Sequence, residues 1–141
     1  MGPVRILIVD DFEQWRRAIA SILSEDADLK VVGESADGLD AVQKSGELLP
    51  DLILLDIQLP KMNGLDAARQ IRRVSPRTKI LFLSSYRSFE VMREALKFGS
   101  GYVVKADAGR DLLPIVRAVV RNESFIRFTV LDDGLPNPGE M

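Results

Sequence analysis

The sequence contains neither cysteine nor histidine. Their absence removes disulfides, thiol nucleophiles, thiolate or imidazole metal sites and imidazole acid–base chemistry, so any metal must be held by oxygen. Nor does any apolar run approach the ~18 residues that a membrane-spanning helix requires. The opening residues, MGPVRILIVDD, enter an apolar run without a basic leader or a small-residue cleavage site, and a cytoplasmic location is the expectation. Strong charge is missing too. Nineteen basic against 21 acidic residues leave a formal net charge of −2, and the basic residues are spread along the chain. That distribution carries no nucleic-acid footprint, so no DNA binding is expected of this segment. Internal repeats and low-complexity stretches are absent as well.

What remains is a chain of 141 residues, 46% hydrophobic, which suits one domain and a short extension. From Val4 to Asn122, apolar runs alternate with amphipathic stretches, the signature of βα units on a parallel sheet. Strands are expected at Val4–Val9, Lys30–Ser35, Asp51–Leu55, Lys79–Ser84 and Gly101–Lys105. Apolar residues three and four apart give a first helix with Phe12, Trp15, Ile19 and Ile22 on its core face, and a third with Leu65, Ala68 and Ile71. The second helix is expected over Gly38–Leu48, the fourth over Ser88–Phe98 and the fifth over Ala108–Asn122. Pro114 falls inside the fifth, where its ring meets the carbonyl of Arg110 and predicts a kink or a late start. After Asn122, FIRFTVL alternates briefly and gives way to the turn-rich DDGLPNPGEM. The domain is therefore placed at residues 1–122, with 123–141 a tail or the start of a linker.

Three acidic positions end two of the apolar runs, and a lysine ends a third. ILIVDD closes on Asp10 and Asp11, DLILLD on Asp56 and GYVVK on Lys105. On neighbouring parallel strands, the carboxyl ends would gather these groups around one crevice suited to a divalent cation and a phosphoryl group. Asp10-Asp11 also reads as an acidic pair capping the next helix. Asp56 follows a fully apolar strand and precedes a turn fixed by Pro60 and Gly64, an exposed strand tip that suits a nucleophile. Lys105 could instead be a surface lysine lying along the sheet end.

The ordered set of motifs resembles the receiver domain of two-component response regulators over Val4 to about Asn122. It comprises Asp10-Asp11, the segment DIQLPKMNG from Asp56 to Gly64, the hydroxyl of Ser84 in FLSS, and GYVVK with Tyr102 and Lys105. FLSSY and KVVGESADG are most similar to the subfamily with helix-turn-helix (LuxR/NarL-type) output domains. The resemblance implies a flavodoxin-like, doubly wound five-stranded parallel sheet in order 2-1-3-4-5. It also implies that Asp56 is the phosphoacceptor, taking its phosphoryl group from a histidine kinase or phosphotransfer protein. Mg²⁺ or Mn²⁺ would be held by Asp11, Asp56 and the backbone carbonyl of Gln58, with Asp10 acting through water. Ser84 and Lys105 would meet the phosphoryl oxygens, Ser84 would move toward them, and Tyr102 would turn inward as a switch. Gln58 and Tyr86 flank the path of attacking water and would tune the lifetime of the phosphorylated state. The implied reactions are self-phosphorylation and autodephosphorylation only, with a homodimer on phosphorylation and transcription as the output; a stand-alone receiver is the alternative. Two departures from the family pattern are Ala106, where many members have a cis proline, and Ser84 in place of the commoner threonine.

Other classes fit less well. A haloacid dehalogenase-like phosphatase wants a second aspartate two positions after its nucleophile, where this chain has Gln58. A flavodoxin-like mononucleotide module wants small residues after the first strand, and Asp10-Asp11-Phe12-Glu13 would repel a phosphate. A receiver-like dimerisation module with no chemistry has no need of the full acidic set with Ser84 and Lys105.

Overall fold

The computed structural model describes residues 2–122. The expectations placed on residues 123–141 lie outside them. Five strands, β1 (Val4–Val9), β2 (Leu29–Ser35), β3 (Leu52–Leu55), β4 (Lys79–Ser84) and β5 (Gly101–Val104), alternate with five helices. These are α1 (Glu13–Leu23), α2 (Gly38–Leu48), α3 (Gly64–Val74), α4 (Phe89–Leu96) and α5 (Ala108–Val120). All pairings are parallel, in the order β2-β1-β3-β4-β5. No described helix is long and apolar enough to cross a membrane.

Successive strand residues point to opposite faces, and here both faces are covered, so the strands read as continuous apolar runs. Leu7, Val9, Ile53, Leu55, Phe82 and Tyr102 pack with Ala41 of α2, Ala68 and Ile71 of α3, and Met92 of α4. Their neighbours in sequence, Ile6, Ile8, Leu52, Leu54, Leu81 and Val103, pack with Ile19 and Leu23 of α1 and Leu112, Ile115 and Val119 of α5. Each fully buried Leu or Ile contributes ~1.5–3 kcal/mol relative to exposure, which fixes the strand register on both sides.

Several expected boundaries shift for local reasons. Strand β2 begins one position early, at Leu29. Strand β3 begins one late, because the Asp51 carboxylate itself accepts the Arg5 N–H at 2.8 Å. Strand β5 stops at Val104, whose partner Ser84 is the last residue of β4, and Lys105 opens a 3₁₀ turn, Lys105–Asp107. Ser88 caps α4 from outside by accepting the Val91 N–H at 3.3 Å, and α5 ends at Val120 rather than Asn122. Pro114 neither delays nor divides α5, which runs unbroken through it from Ala108 to Val120 with the proline ring exposed. No peptide bond among the described residues is cis, so the Lys105–Ala106 bond is trans.

The loop from Ile57 to Asn63 is clamped by two close approaches that only glycine allows. A Cβ on Gly64 would lie 2.0 Å from the Asp56 carbonyl oxygen, and one on Gly38 would lie 1.9 Å from that of Met62. Gly64 donates its N–H to Ile57 O at 2.7 Å, and Asn63 caps α3 by accepting the Asp66 N–H at 3.0 Å. The backbone immediately after Asp56 is thereby held.

Candidate functional site

Because the strands are parallel, the residues following β1, β3 and β5 emerge at one end of the sheet. Asp10 and Asp56 follow the first two of these strands and Lys105 the third. Ser35 O accepts the Asp10 N–H at 3.0 Å, and Val9 O accepts the Asp56 N–H at 3.0 Å, so sheet-like bonds continue to the site itself. Lys105 Nζ lies 2.6 Å from Asp10 Oδ2 and 3.0 Å from Asp56 Oδ2. All three side chains are buried, with Asp10 at 1% and Asp56 at 4% exposure. Asp10 Oδ1 accepts the Phe12 N–H at 2.9 Å, and Asp56 Oδ1 accepts the Ile57 N–H at 2.7 Å. Asp10 thus steadies the turn into α1, whose N-cap residue, Phe12, offers no side-chain cap.

The charges are unevenly balanced. Burial pushes the Asp56 carboxyl above the ordinary carboxylate range, the hydrogen bond and charge of Lys105 pull it back, and the nearby Asp10 charge adds to the rise. For Lys105, burial works against the ammonium, but its close contacts with Asp10 and Asp56 and their negative charges outweigh it and leave its pKa raised. One cation therefore serves two buried carboxylates.

Asp11 is exposed and completes a trio: Asp10, Asp11 and Asp56 each offer a carboxylate oxygen within 4.8 Å of the others. Asp10 Oδ2 meets Lys105 in charge contact without an aligned hydrogen bond, although it is buried. An oxygen-only donor set with one such oxygen fits a hard divalent cation. A cavity of about 370 Å³ opens beside it, lined by Asp11, Phe12, Trp15, Asp56, Gln58, Ser85, Lys105 and Ala106.

Residues 6–117 match the family model of the response regulator receiver domain. The chain belongs to that family. The response regulator protein VraR of Staphylococcus saprophyticus is 38% identical over 130 residues, which make up 92% of this chain and 62% of that protein. This receiver domain thus spans under two thirds of the length of the curated relatives it matches. Among solved structures, the response regulator domain of Thermotoga maritima CheB is similar with a TM-score of 0.77 and 31% identity, covering 86% of this chain and 96% of that one. The signal receiver domain of NarL from Mycobacterium tuberculosis gives 0.81 and 27% identity, covering 87% and 100% respectively.

Within this receiver domain four more of the residues singled out from sequence, Gln58, Ser84, Tyr86 and Tyr102, are linked by hydrogen bonds. Ser84 is fully buried at the end of β4, and its Oγ accepts the Tyr86 N–H at 3.2 Å. The Tyr86 carbonyl accepts the Tyr102 hydroxyl at 2.9 Å, and the Tyr86 hydroxyl accepts a hydrogen bond from Gln58 Nε2 at 2.7 Å. Tyr102 already points inward in this structure. Its ring is already buried, at 1% exposure, because the Tyr86 carbonyl satisfies the hydroxyl that burial would otherwise strand.

The first helix departs from the expected core face. Ile19 is buried, but Phe12 is 59% exposed at the rim of the cavity, and Trp15 is half-buried in its wall with its ring centroid 5.1 Å from Lys105 Nζ. Sequence reading assigned both rings to the core. The signal that could have placed them was their position: they lie within one turn of a helix that begins directly after Asp10-Asp11. Arg16, also not singled out, donates to the Asp10 carbonyl at 2.7 Å and to Glu34 at 2.9 Å.

Proposed function

We propose that this receiver domain accepts a phosphoryl group on Asp56 from a phosphohistidine of a histidine kinase or phosphotransfer protein in the cytoplasm. The observation that carries the reading is the buried Asp10–Lys105–Asp56 arrangement, with Asp11 beside it, at the carboxyl end of a receiver-family sheet. A carboxylate oxygen of Asp56 forms the new bond to phosphorus while the phosphorus–nitrogen bond of the donor breaks and its electron pair returns to the imidazole. The Ile57 N–H and the clamped loop hold the acceptor in place. Lys105 and the Ser84 hydroxyl receive phosphoryl oxygens.

Asp10, Asp11, Asp56 and the Gln58 carbonyl would hold Mg²⁺ or Mn²⁺. When bound, that ion supplies the positive charge that phosphoryl transfer between anions requires. Ser84, on binding the phosphoryl group, gives up its bond to the Tyr86 N–H. Because Tyr86 also carries the Tyr102 hydroxyl, the change passes to β5 and the start of α4. Similarity to VraR and NarL supports transcription as the output of the whole protein, through a module outside residues 1–122.

The test is intact mass after incubation with acetyl phosphate and Mg²⁺. The parent chain should gain one phosphoryl group, and Asp56→Asn or excess chelator should abolish the gain. A stable adduct on Asp56→Asn would overturn the assignment.

A further inference from the structure

Lys105 stands where the cation must go. Its ammonium already occupies Asp10 Oδ2 at 2.6 Å and Asp56 Oδ2 at 3.0 Å, oxygens belonging to the same trio of carboxylates that would ligate a divalent ion. An ammonium and a dication cannot share these oxygens without repulsion, so cation entry requires Lys105 to release them. The residue is buried, and a charged head freed inside a buried site needs a new partner. Among the described residues, the aromatic face in contact with that ammonium is the indole of Trp15, half-buried and 5.1 Å away at its centroid. A cation within about 6 Å of a tryptophan face is attracted by the ring quadrupole, more strongly where water is partly excluded.

On the basis of the cation site proposed above, we infer that Trp15 is a positioning residue for Lys105. Its ring receives the ammonium when a divalent ion takes the carboxylates, and keeps it at the rim of the cavity, within reach of an incoming phosphoryl oxygen. Core packing does not require this ring, since Ile19 and Leu23 of the same helix supply the buried contacts. Trp15 and Lys105 line the same cavity as Asp11 and Asp56, so the ammonium changes partner without leaving the site.

Only the part of the attraction that grows on release contributes to metal affinity, so the effect is modest. Calorimetric titration with MgCl₂ should show Trp15→Leu binding about threefold more weakly than the parent, in line with a partly exposed cation–π contact. Trp15→Phe, which keeps an aromatic face, should bind within twofold of the parent, roughly, because a smaller ring attracts less strongly. Lys105→Met should bind Mg²⁺ more tightly than the parent, having lost the competitor, and adding Trp15→Leu in that background should change nothing. Equal weakening by Trp15→Leu with and without Lys105 would show a merely structural role and overturn the inference, as would no weakening in either background. A parent that binds no Mg²⁺ would overturn the cation site and the inference together, a result distinct from either of these.

Discussion

Replacing Lys105 with methionine keeps the apolar stem and removes the charge. The two carboxylates it serves remain buried, at 1% and 4% exposure, each carrying one backbone hydrogen bond and neither retaining a cation. Breaking a buried ion pair from one side typically costs about 3–5 kcal/mol, since the remaining charge can neither hydrate nor pair. Asp56 offers partial escape. Burial already raises its pKa, and loss of Lys105 removes the main opposing influence, so the variant can take up a proton there. We therefore expect a loss of about 3 kcal/mol at neutral pH in the absence of divalent ions, the lower end of that range.

The sign of the pH dependence follows. A carboxyl whose folded pKa lies above its unfolded value favours the fold fully below the unfolded pKa, and that contribution is lost as pH rises through the folded pKa. The deficit of Lys105→Met should thus be small at the acidic end of the ordinary carboxylate range and grow as pH rises above it. Asp56→Asn in the same background should recover about half the loss, because one of two unpaired charges disappears and the substitutions share a contact. Urea unfolding followed by the single tryptophan, Trp15, and by far-UV circular dichroism gives the free energies. A loss under about 1 kcal/mol at pH 7, unchanged by Asp56→Asn, would refute the claim that one ammonium balances both acids.

Asp11 is exposed, so Asp11→Ala should alter stability by no more than about 0.5 kcal/mol while strongly weakening Mg²⁺ binding, as measured by calorimetry. The acyl phosphate should hydrolyse faster in Tyr86→Ala and Gln58→Ala, by about fivefold, the worth of one neutral hydrogen bond at 2.7 Å. Decay rates equal to the parent in both variants would remove their role in lifetime. Phosphorylation should promote an isologous homodimer already sampled weakly by the unmodified chain. Identical sedimentation with and without beryllofluoride, over a wide concentration range, would point to a heterologous partner instead.

The fold was legible because a parallel sheet covered on both faces leaves a simple trace, apolar runs ended by polar residues. Strand order was not in that trace and came from the family resemblance; the pairing of β1 with both β2 and β3 bears it out. The acidic and basic groups were legible for a related reason: a strand end fixes where its next residue emerges, so Asp10, Asp56 and Lys105 could be placed together without any knowledge of their rotamers.

Helix ends behave differently. A period of 3.6 residues says which face of α1 points inward but not how far the helix extends beyond the sheet, and Phe12 and Trp15 lie on the part that does. The same limit applies to Tyr102, whose burial depends on a carbonyl 16 residues away in sequence, and to Gln58, whose partner Tyr86 is 28 residues away. The first contact joins β5 to the loop after β4 and the second joins the loops after β3 and β4, and no local pattern records them. In this receiver domain the residues proposed to do the chemistry therefore sit at strand ends, where sequence is most informative. Those proposed to position them lie away from such ends, and there only the assembled structure shows that Trp15 faces an ammonium instead of the core.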